Sequence, residues 1–484
     1  MSITKKLATD TVAYGVSSIL ARIINFLFGF LIIKFISPAE FGTYTNFYAY
    51  AGFILVVLTH GMETAYFRFV NKEESKETAF STAFYSILFV VVLFILITYL
   101  FQKPIAAYVK EPTFYLQLFV WMMAFDTLAA IPFASLRKQG RPMVFAGLKI
   151  LNILFFILLN ILFFIILPKL NLTLNVTSVS YIFIANLVAS ILTFIILLFQ
   201  FRQLKFSIDF SIYKKMLWYA MPIMLVGFAG MINEVLDRII MTRLLPGSLL
   251  ENKIQLGIYG FNYKFAMIIS MFLQAYRFAA EPLFFKNAEK EDNKQMLAKT
   301  MKFYTISVCF IFLTITLFMP LIQFSFSKYS PSSATYFEGV GIVPILLMAN
   351  IFLGIYFNIS TWYKITDKTY VGAFISIVGA AVTIVMNIVL VPKIGYFGGA
   401  WATLACYATM LIIGYITEQK YYPIPYDYKR ILFYLAIAVG FYFVLQYLIL
   451  PMQFSLFINT IIAFCFLLLY VFVAYFLEKK KVIA

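Results

Sequence analysis

The sequence predicts an all-α integral membrane protein of about fourteen transmembrane helices, arranged as two parallel six-helix lobes plus two C-terminal helices. Three observations carry that prediction. The 484-residue chain is 63% hydrophobic and 12% charged, a composition foreign to soluble domains. Its apolar residues form long uninterrupted stretches, each near the roughly 20 residues that cross about 30 Å of hydrocarbon. Its basic residues concentrate in every second gap between those stretches, the asymmetry that orients membrane helices.

The spans run in order. The first, 12–36, follows Lys5 and Lys6 but exceeds signal-peptide length and has no small-residue cleavage site after it, so it is expected to persist as helix 1. Spans 2 and 3 (44–67 and 81–101) flank Arg68, Lys72 and Lys76. Spans 4 and 5 (114–135 and 143–167) flank Arg137, Lys138 and Arg141, and spans 6 and 7 (178–199 and 216–242) flank Arg202, Lys205, Lys214 and Lys215. Spans 8 and 9 (257–281 and 302–326) flank Lys286, Lys290, Lys294, Lys299 and Lys302. Spans 10 and 11 (338–362 and 370–391) flank Lys364 and Lys368, and spans 12 and 13 (396–417 and 431–450) flank Lys420, Lys429 and Arg430. Span 14 (454–477) ends at Lys479, Lys480 and Lys481. These gaps and the two termini hold 25 of the 38 lysines and arginines; the alternate gaps hold seven, and six lie inside spans. Both termini are therefore expected on the cytoplasmic side, which requires an even number of spans.

Composition also excludes function classes. The net charge of +17 forms no stripe or dense block; positive-inside topology and anionic head groups account for it, and no nucleic-acid partner is expected. Cys309, Cys406 and Cys465 are isolated in apolar runs without metal spacing. No loop is long enough to fold as a domain, and the polar segment 282–301 reads as a short surface helix. His60 is the only histidine, which removes His-based triads and His-rich metal sites. No catalytic residue, metal or cofactor is expected; the chemistry is binding and movement.

The chain repeats after six helices. Helix 1 leads into Ile36-Ser37-Pro38-Ala39-Glu40-Phe41-Gly42-Thr43-Tyr44, and helix 7 into Leu245-Pro246 and then Leu256-Gly257-Ile258-Tyr259. Helix 5 ends in Leu167-Pro168-Lys169-Leu170 and helix 11 in Val391-Pro392-Lys393-Ile394. Six is even, so the halves share one orientation, a plan known among secondary transporters. The expected lobes are 1–200 (helices 1–6) and 201–420 (helices 7–12), with helices 13 and 14 outside the repeat in 421–484. Small residues from Gly395 to Thr403 open helix 12 and permit close helix approach. Pro222, Pro282 and Pro344 are expected to interrupt helices 7, 8 and 10 as bends or hinges.

Four patterns in order, "ISPAEFGTY", "LDRIIMTRLLP", "LGIYGFNYKFAMI" and "NIVLVPKIGYFGGAWAT", resemble the polysaccharide-transporter and O-antigen flippase branch of the multidrug/oligosaccharidyl-lipid/polysaccharide exporter superfamily. The resemblance covers essentially the whole chain; Gly399 stands where the family more often has alanine. It implies two lobes around a central cavity in a bacterial inner membrane. It further implies export of a polyprenyl-diphosphate-linked oligosaccharide for O-antigen, capsule or exopolysaccharide. The implied partners are that lipid, the surrounding membrane lipids, and a polysaccharide polymerase or chain-length protein.

Ionisable residues inside spans normally face a cavity or a partner. Glu234 and Arg238, with Asp237 adjacent, have the spacing of a helical ion pair, as do Arg277 and Glu281. Arg22, Lys149 and Lys264 have no acid three or four residues away. Lys149 is a candidate substrate contact but is also placed to snorkel to the cytoplasmic surface. Arg22 and Lys264 look like the positions at which cations line the cavity of related lipid II flippases, where they suit a diphosphate. Arg68, at the cytoplasmic edge of helix 2, either attracts a diphosphate or anchors the helix. Asp126 is the chief acid without a local partner. His60 and Glu63, three apart, form either a coupling site or a local hydrogen-bonded pair. The competing functions are a multidrug/cation antiporter, which requires Asp126, Glu63 or Glu234; a lipid II flippase; and a membrane polysaccharide polymerase.

Overall fold

The computed structural model describes residues 20, 23–72, 78–172, 176–205, 209–286 and 293–479. Among these the regular elements are all helical. Thirteen are long and apolar enough to cross a membrane, and a shorter apolar helix, α1 (Ile23–Lys34), precedes them. Residues 12–19, 21 and 22 of the first expected span lie outside the described residues. The chain clusters into two compact units, residues 1–243 with 247–257, and residues 244–246 with 258–484.

In the first unit, α2 (Pro38–Thr59) starts at a reciprocal cap. The Glu40 backbone N–H donates to Ser37 Oγ at 3.3 Å, and the Ser37 N–H donates to Glu40 Oε2 at 3.0 Å, with Pro38 in the first turn. The second expected span is not one helix. His60 and Gly61 both take left-handed backbone (φ 34° and 73°), so α2 stops and α3 (Met62–Phe69) begins in a new direction. Gly61 also allows close contact: a Cβ there would fall 2.8 Å from the Ala220 carbonyl oxygen. The unit continues through α4 (Ala79–Leu100), α5 (Gln102–Val109), α6 (Thr113–Leu128) and α7 (Ala130–Lys138). Then come α8 (Pro142–Lys169), α9 (Ser178–Leu197), α10 (Phe210–Leu244) and the opening of α11 (Leu249–Lys286). Its core packs Met62, Tyr66, Phe84, Ile87, Ile131 and Met216, with an aromatic cluster of Phe47, Tyr115, Phe119 and Phe183 beside it. Lipid gives such helices little hydrophobic drive to associate, so close packing does most of the holding.

Two repeat-motif glycines meet in this unit. A Cβ on Gly42 would lie 2.0 Å from the Lys253 carbonyl oxygen, and one on Gly257 would lie 1.9 Å from that of Pro38. Each glycine thus faces the carbonyl one helical turn before the other, and α2 and the start of α11 cross backbone to backbone. The buried Glu111 carboxylate stands beside the crossing, accepting from Thr43 Oγ1 at 2.8 Å and pairing with Lys253 Nζ at 2.8 Å.

The second unit holds the remainder of α11, α12 (Asn293–Leu317), α13 (Met319–Tyr329), α14 (Ser333–Phe337), α15 (Val343–Ile359) and α16 (Thr361–Ile365). It ends with α17 (Thr369–Ile394), α18 (Tyr396–Tyr421), α19 (Tyr428–Val444) and α20 (Leu456–Lys479). The expected small-residue contact at helix 12 is present: a Cβ on Gly398 would fall 2.6 Å from the Val391 nitrogen of α17. Helices α19 and α20 are tied to α12 through Glu478, which accepts from Lys302, from Arg430 Nη1 at 3.0 Å and from the Tyr434 hydroxyl at 2.9 Å.

Several boundaries correct the sequence reading. Helices α10 and α11 run on through Pro222 and Pro282, and Pro344 sits in the first turn of α15, so it begins a helix where an interruption was expected. The segment 282–301 forms no separate surface helix among the described residues; its ends belong to α11 and α12. Span 8 opens earlier, at Leu249, because Ser248 and Glu251 cap each other across 2.7 and 3.3 Å. Span 9 is displaced towards the N-terminus because Pro320 opens α13.

Candidate functional site

The first unit contains a cavity of about 410 Å³ lined by α2, α3, α6, α7, α8 and α9. Four charges face it. Glu63 projects from α3, Asp126 from α6, Arg137 from the end of α7 and Lys149 from α8. Arg137 Nη2 donates to Glu63 Oε2 at 2.7 Å, and its guanidinium lies 5.0 Å from the Phe67 ring and 5.7 Å from that of Phe145. The Lys149 ammonium stands 4.2 Å from the centre of the Phe133 ring and interacts electrostatically with Asp126. Amide and hydroxyl groups complete the wall: Asn152 Nδ2 donates to Thr193 Oγ1 at 2.9 Å and to the Ala189 carbonyl at 3.2 Å.

The break between α2 and α3 creates this site. Had the helix continued through His60, Glu63 would stay in register with α2; the two left-handed residues redirect it towards α7. His60 goes elsewhere. Its Nδ1 lies 2.9 Å from the Leu58 carbonyl oxygen and its Nε2 2.7 Å from Ser86 Oγ. A carbonyl only accepts, so Nδ1–H donates to it and the Ser86 hydroxyl can donate to Nε2, which satisfies a neutral ring. The expected local pair of His60 with Glu63 is therefore corrected, because each has a different partner. Lys149 is exposed, its ammonium lies against the Phe133 ring, and its charge interacts with those of Asp126 and Glu63. Asp126, expected without a local partner, shares its cavity with that cation.

The other expected residues disperse. Arg22 lies outside the described residues. Lys264 is half-buried on α11 in the second unit. Arg68 is exposed, its guanidinium 4.1 Å from the Tyr219 ring. On α10, Glu234 is exposed, and no ion pair joins it to Arg238 among the described residues. The buried Asp237 instead accepts from the Arg238 backbone N–H at 2.8 Å. The analogous Arg277–Glu281 pair does form, at 3.1 Å, and Lys364 joins it at 3.0 Å. Sequence reasoning missed Arg137 as a cavity residue, because its partner is 74 residues away. Its only local sign was a place beside Lys138 at a helix end.

Chemically the cavity is compensated: two carboxylates face two cations, which makes such charges tolerable away from water. No group of three or more His, Cys, Asp or Glu with metal-binding geometry occurs among the described residues.

A chain with thirteen apolar spans among its described residues is a multi-pass membrane protein. Its residues 7–288 match the family described as polysaccharide biosynthesis protein, and the chain belongs to that family. Its fold is similar to the lipid II flippase MurJ in an inward closed conformation, with a TM-score of 0.77 and 15% identity over 98% of this chain and all of that one. It is also similar to a multidrug resistance MATE family transporter of the MOP superfamily, with a TM-score of 0.66 and 15% identity over 85% and 97% of the two chains. An uncharacterized membrane protein of Methanocaldococcus jannaschii is 26% identical over 198 residues, which span 40% of this chain and 44% of the relative's length.

Proposed function

We propose that this protein is a flippase that carries a polyprenyl-diphosphate-linked oligosaccharide across a bacterial cytoplasmic membrane for cell-surface polysaccharide assembly. One observation carries the reading: a chain of the polysaccharide biosynthesis family shares its fold, end to end, with a flippase for a lipid-linked sugar. In this mechanism two lobes, residues 1–200 and 201–420, rock so that a cavity opens first to the cytoplasm and then to the far side. Both termini remain cytoplasmic, in keeping with the basic gaps. Arg22 and Lys264 hold the diphosphate, since a guanidinium fork and an ammonium both match phosphate oxygens. Arg68 draws the head group to the cytoplasmic edge. Glu63 and Asp126 are the candidates for ion coupling, each already opposed by a cation. Asp237 with Arg238, and the exposed Glu234, are the corresponding candidates on α10.

A multidrug/cation antiporter is the second reading, favoured by the MATE-like fold and by two carboxylates in a cavity. The compensation of both by Arg137 and Lys149 weighs against it, because a cationic drug would have to displace a resident cation. Transbilayer movement of a polyprenyl-diphosphate-linked oligosaccharide in proteoliposomes tests the proposal. Wild-type movement abolished in Arg22→Ala and Lys264→Ala, with folding intact, supports it. Movement indifferent to both keeps the flippase and removes those contacts. Proton-driven efflux of a cationic dye without glycolipid movement turns the answer to drug export, and glycan lengthening in detergent turns it to a polymerase. Lethality on depletion points to lipid II as cargo.

A further inference from the structure

We propose that the cleft between α11 and α12 in the second unit is a binding site for an anionic glycerophospholipid. The cleft holds about 570 Å³ and is open to its surroundings. Phe272 and Tyr276 line it from α11; Gln295, Lys299, Phe303 and Ser307 line it from α12. Lys299 comes six residues after Asn293, about 9 Å along the helix, and Phe303 and Ser307 follow one and two turns deeper. The cleft is therefore amphipathic along its length, with a polar mouth and an aromatic interior.

Among its described lining residues the one charge is Lys299. No carboxylate is among the lining residues described. Three lysines occupy the first turns of α12, and two of them are engaged: Lys294 lies 4.5 Å from the Tyr422 ring, and Lys302 is held by Glu478. Lys299 is exposed and makes no ion pair or ring contact with the described residues. A phosphate at the mouth would meet this cation. Phe303, 55% exposed, and the Phe272 ring offer the apolar contact that an acyl chain supplies and a free anion does not. The site is independent of the flippase reading, since it needs no transport.

Native mass spectrometry of the detergent-purified full chain, titrated with phosphatidylglycerol or phosphatidylcholine, reads this site directly. Wild type is expected to retain phosphatidylglycerol about fivefold over phosphatidylcholine, the preference one lysine near the surface confers. Lys299→Ala erases that preference, and Ser307→Trp, which fills the deep end, lowers retention of both lipids. Lys294→Ala leaves the preference in place. Equal retention of the two lipids by wild type overturns the proposal, as does a preference that survives Lys299→Ala or falls equally in Lys294→Ala. Unchanged retention in Ser307→Trp, or displacement of phosphatidylglycerol by inorganic phosphate, overturns it too. A thermal melt of each variant, matched to wild type, shows that the comparison is between folded proteins.

Discussion

Alanine at position 257 places a methyl carbon 1.9 Å from the Pro38 carbonyl oxygen, where ordinary contact begins at 3.4 Å. The difference, 3.4 − 1.9, requires the α2 and α11 backbones to part by about 1.5 Å along that line. No flexible side chain can absorb it. The obstacle is main chain, in the first turn of a helix fixed by Pro38 and the Ser37–Glu40 cap. Overpacking of this kind costs about 1–3 kcal/mol, and parting the helices also stretches the adjacent Lys253–Glu111 bridge. Gly42→Ala meets the Lys253 carbonyl in the same way and is expected to cost a similar amount. The double variant is the sharper test. Once the backbones have separated for one methyl, the second enters space already opened, so the combined loss falls short of the sum of the two. Detergent-denaturation midpoints measure all three, with Gly147→Ala as control, since nothing lies within 4 Å of a Cβ there. A Gly257→Ala protein within about 0.5 kcal/mol of wild type, or losses that simply add, would refute the reciprocal crossing.

Three further outcomes are expected. Charge reversal at Arg137 alone brings a second carboxylate against Glu63 and lowers stability by about 1 kcal/mol, modest because the pair is partly exposed; reversing both residues restores it in the same denaturation assay. Asp126→Asn removes the larger of the two carboxylate interactions of Lys149, the other being with Glu63, and reduces proteoliposome transport, and adding Lys149→Met recovers folded yield relative to the single variant. Glu478→Leu strands the buried Lys302 and costs about 3–5 kcal/mol, whereas Lys302→Met with Glu478→Leu is far milder; a double-mutant cycle with no coupling energy contradicts this.

The fold class was largely legible in the sequence, because span length and composition are local properties. So were some helix starts in principle, since Ser37-Pro38-Ala39-Glu40 and Ser248-Leu249-Leu250-Glu251 both read as caps. The His60–Gly61 break was not. The apolar run continues through it, and only the glycine hints at left-handed backbone. The candidate cavity was half legible. Glu63, Asp126 and Lys149 stood out as intramembrane charges, but local spacing finds only partners three or four residues away. That rule succeeded for Arg277 with Glu281 and failed for Glu234 with Arg238, where tertiary packing buries Asp237 instead. Arg137, the true partner of Glu63, lies 74 residues away at the end of the helix two spans later, beyond the reach of local spacing.

The Lys302–Glu478 contact also has a consequence for how the chain is made. The two residues are 176 positions apart, so the lysine leaves the ribosome long before its counter-charge exists. At about 5–20 residues per second, roughly 9–35 s separate them. During that interval α12 carries a cation whose carboxylate partner has not yet been made. The contact is thus completed only once α20 has been made, and a nascent chain halted before Glu478 presents a lysine without its carboxylate, a feature by which quality-control proteases of the membrane can distinguish unfinished chains from finished ones.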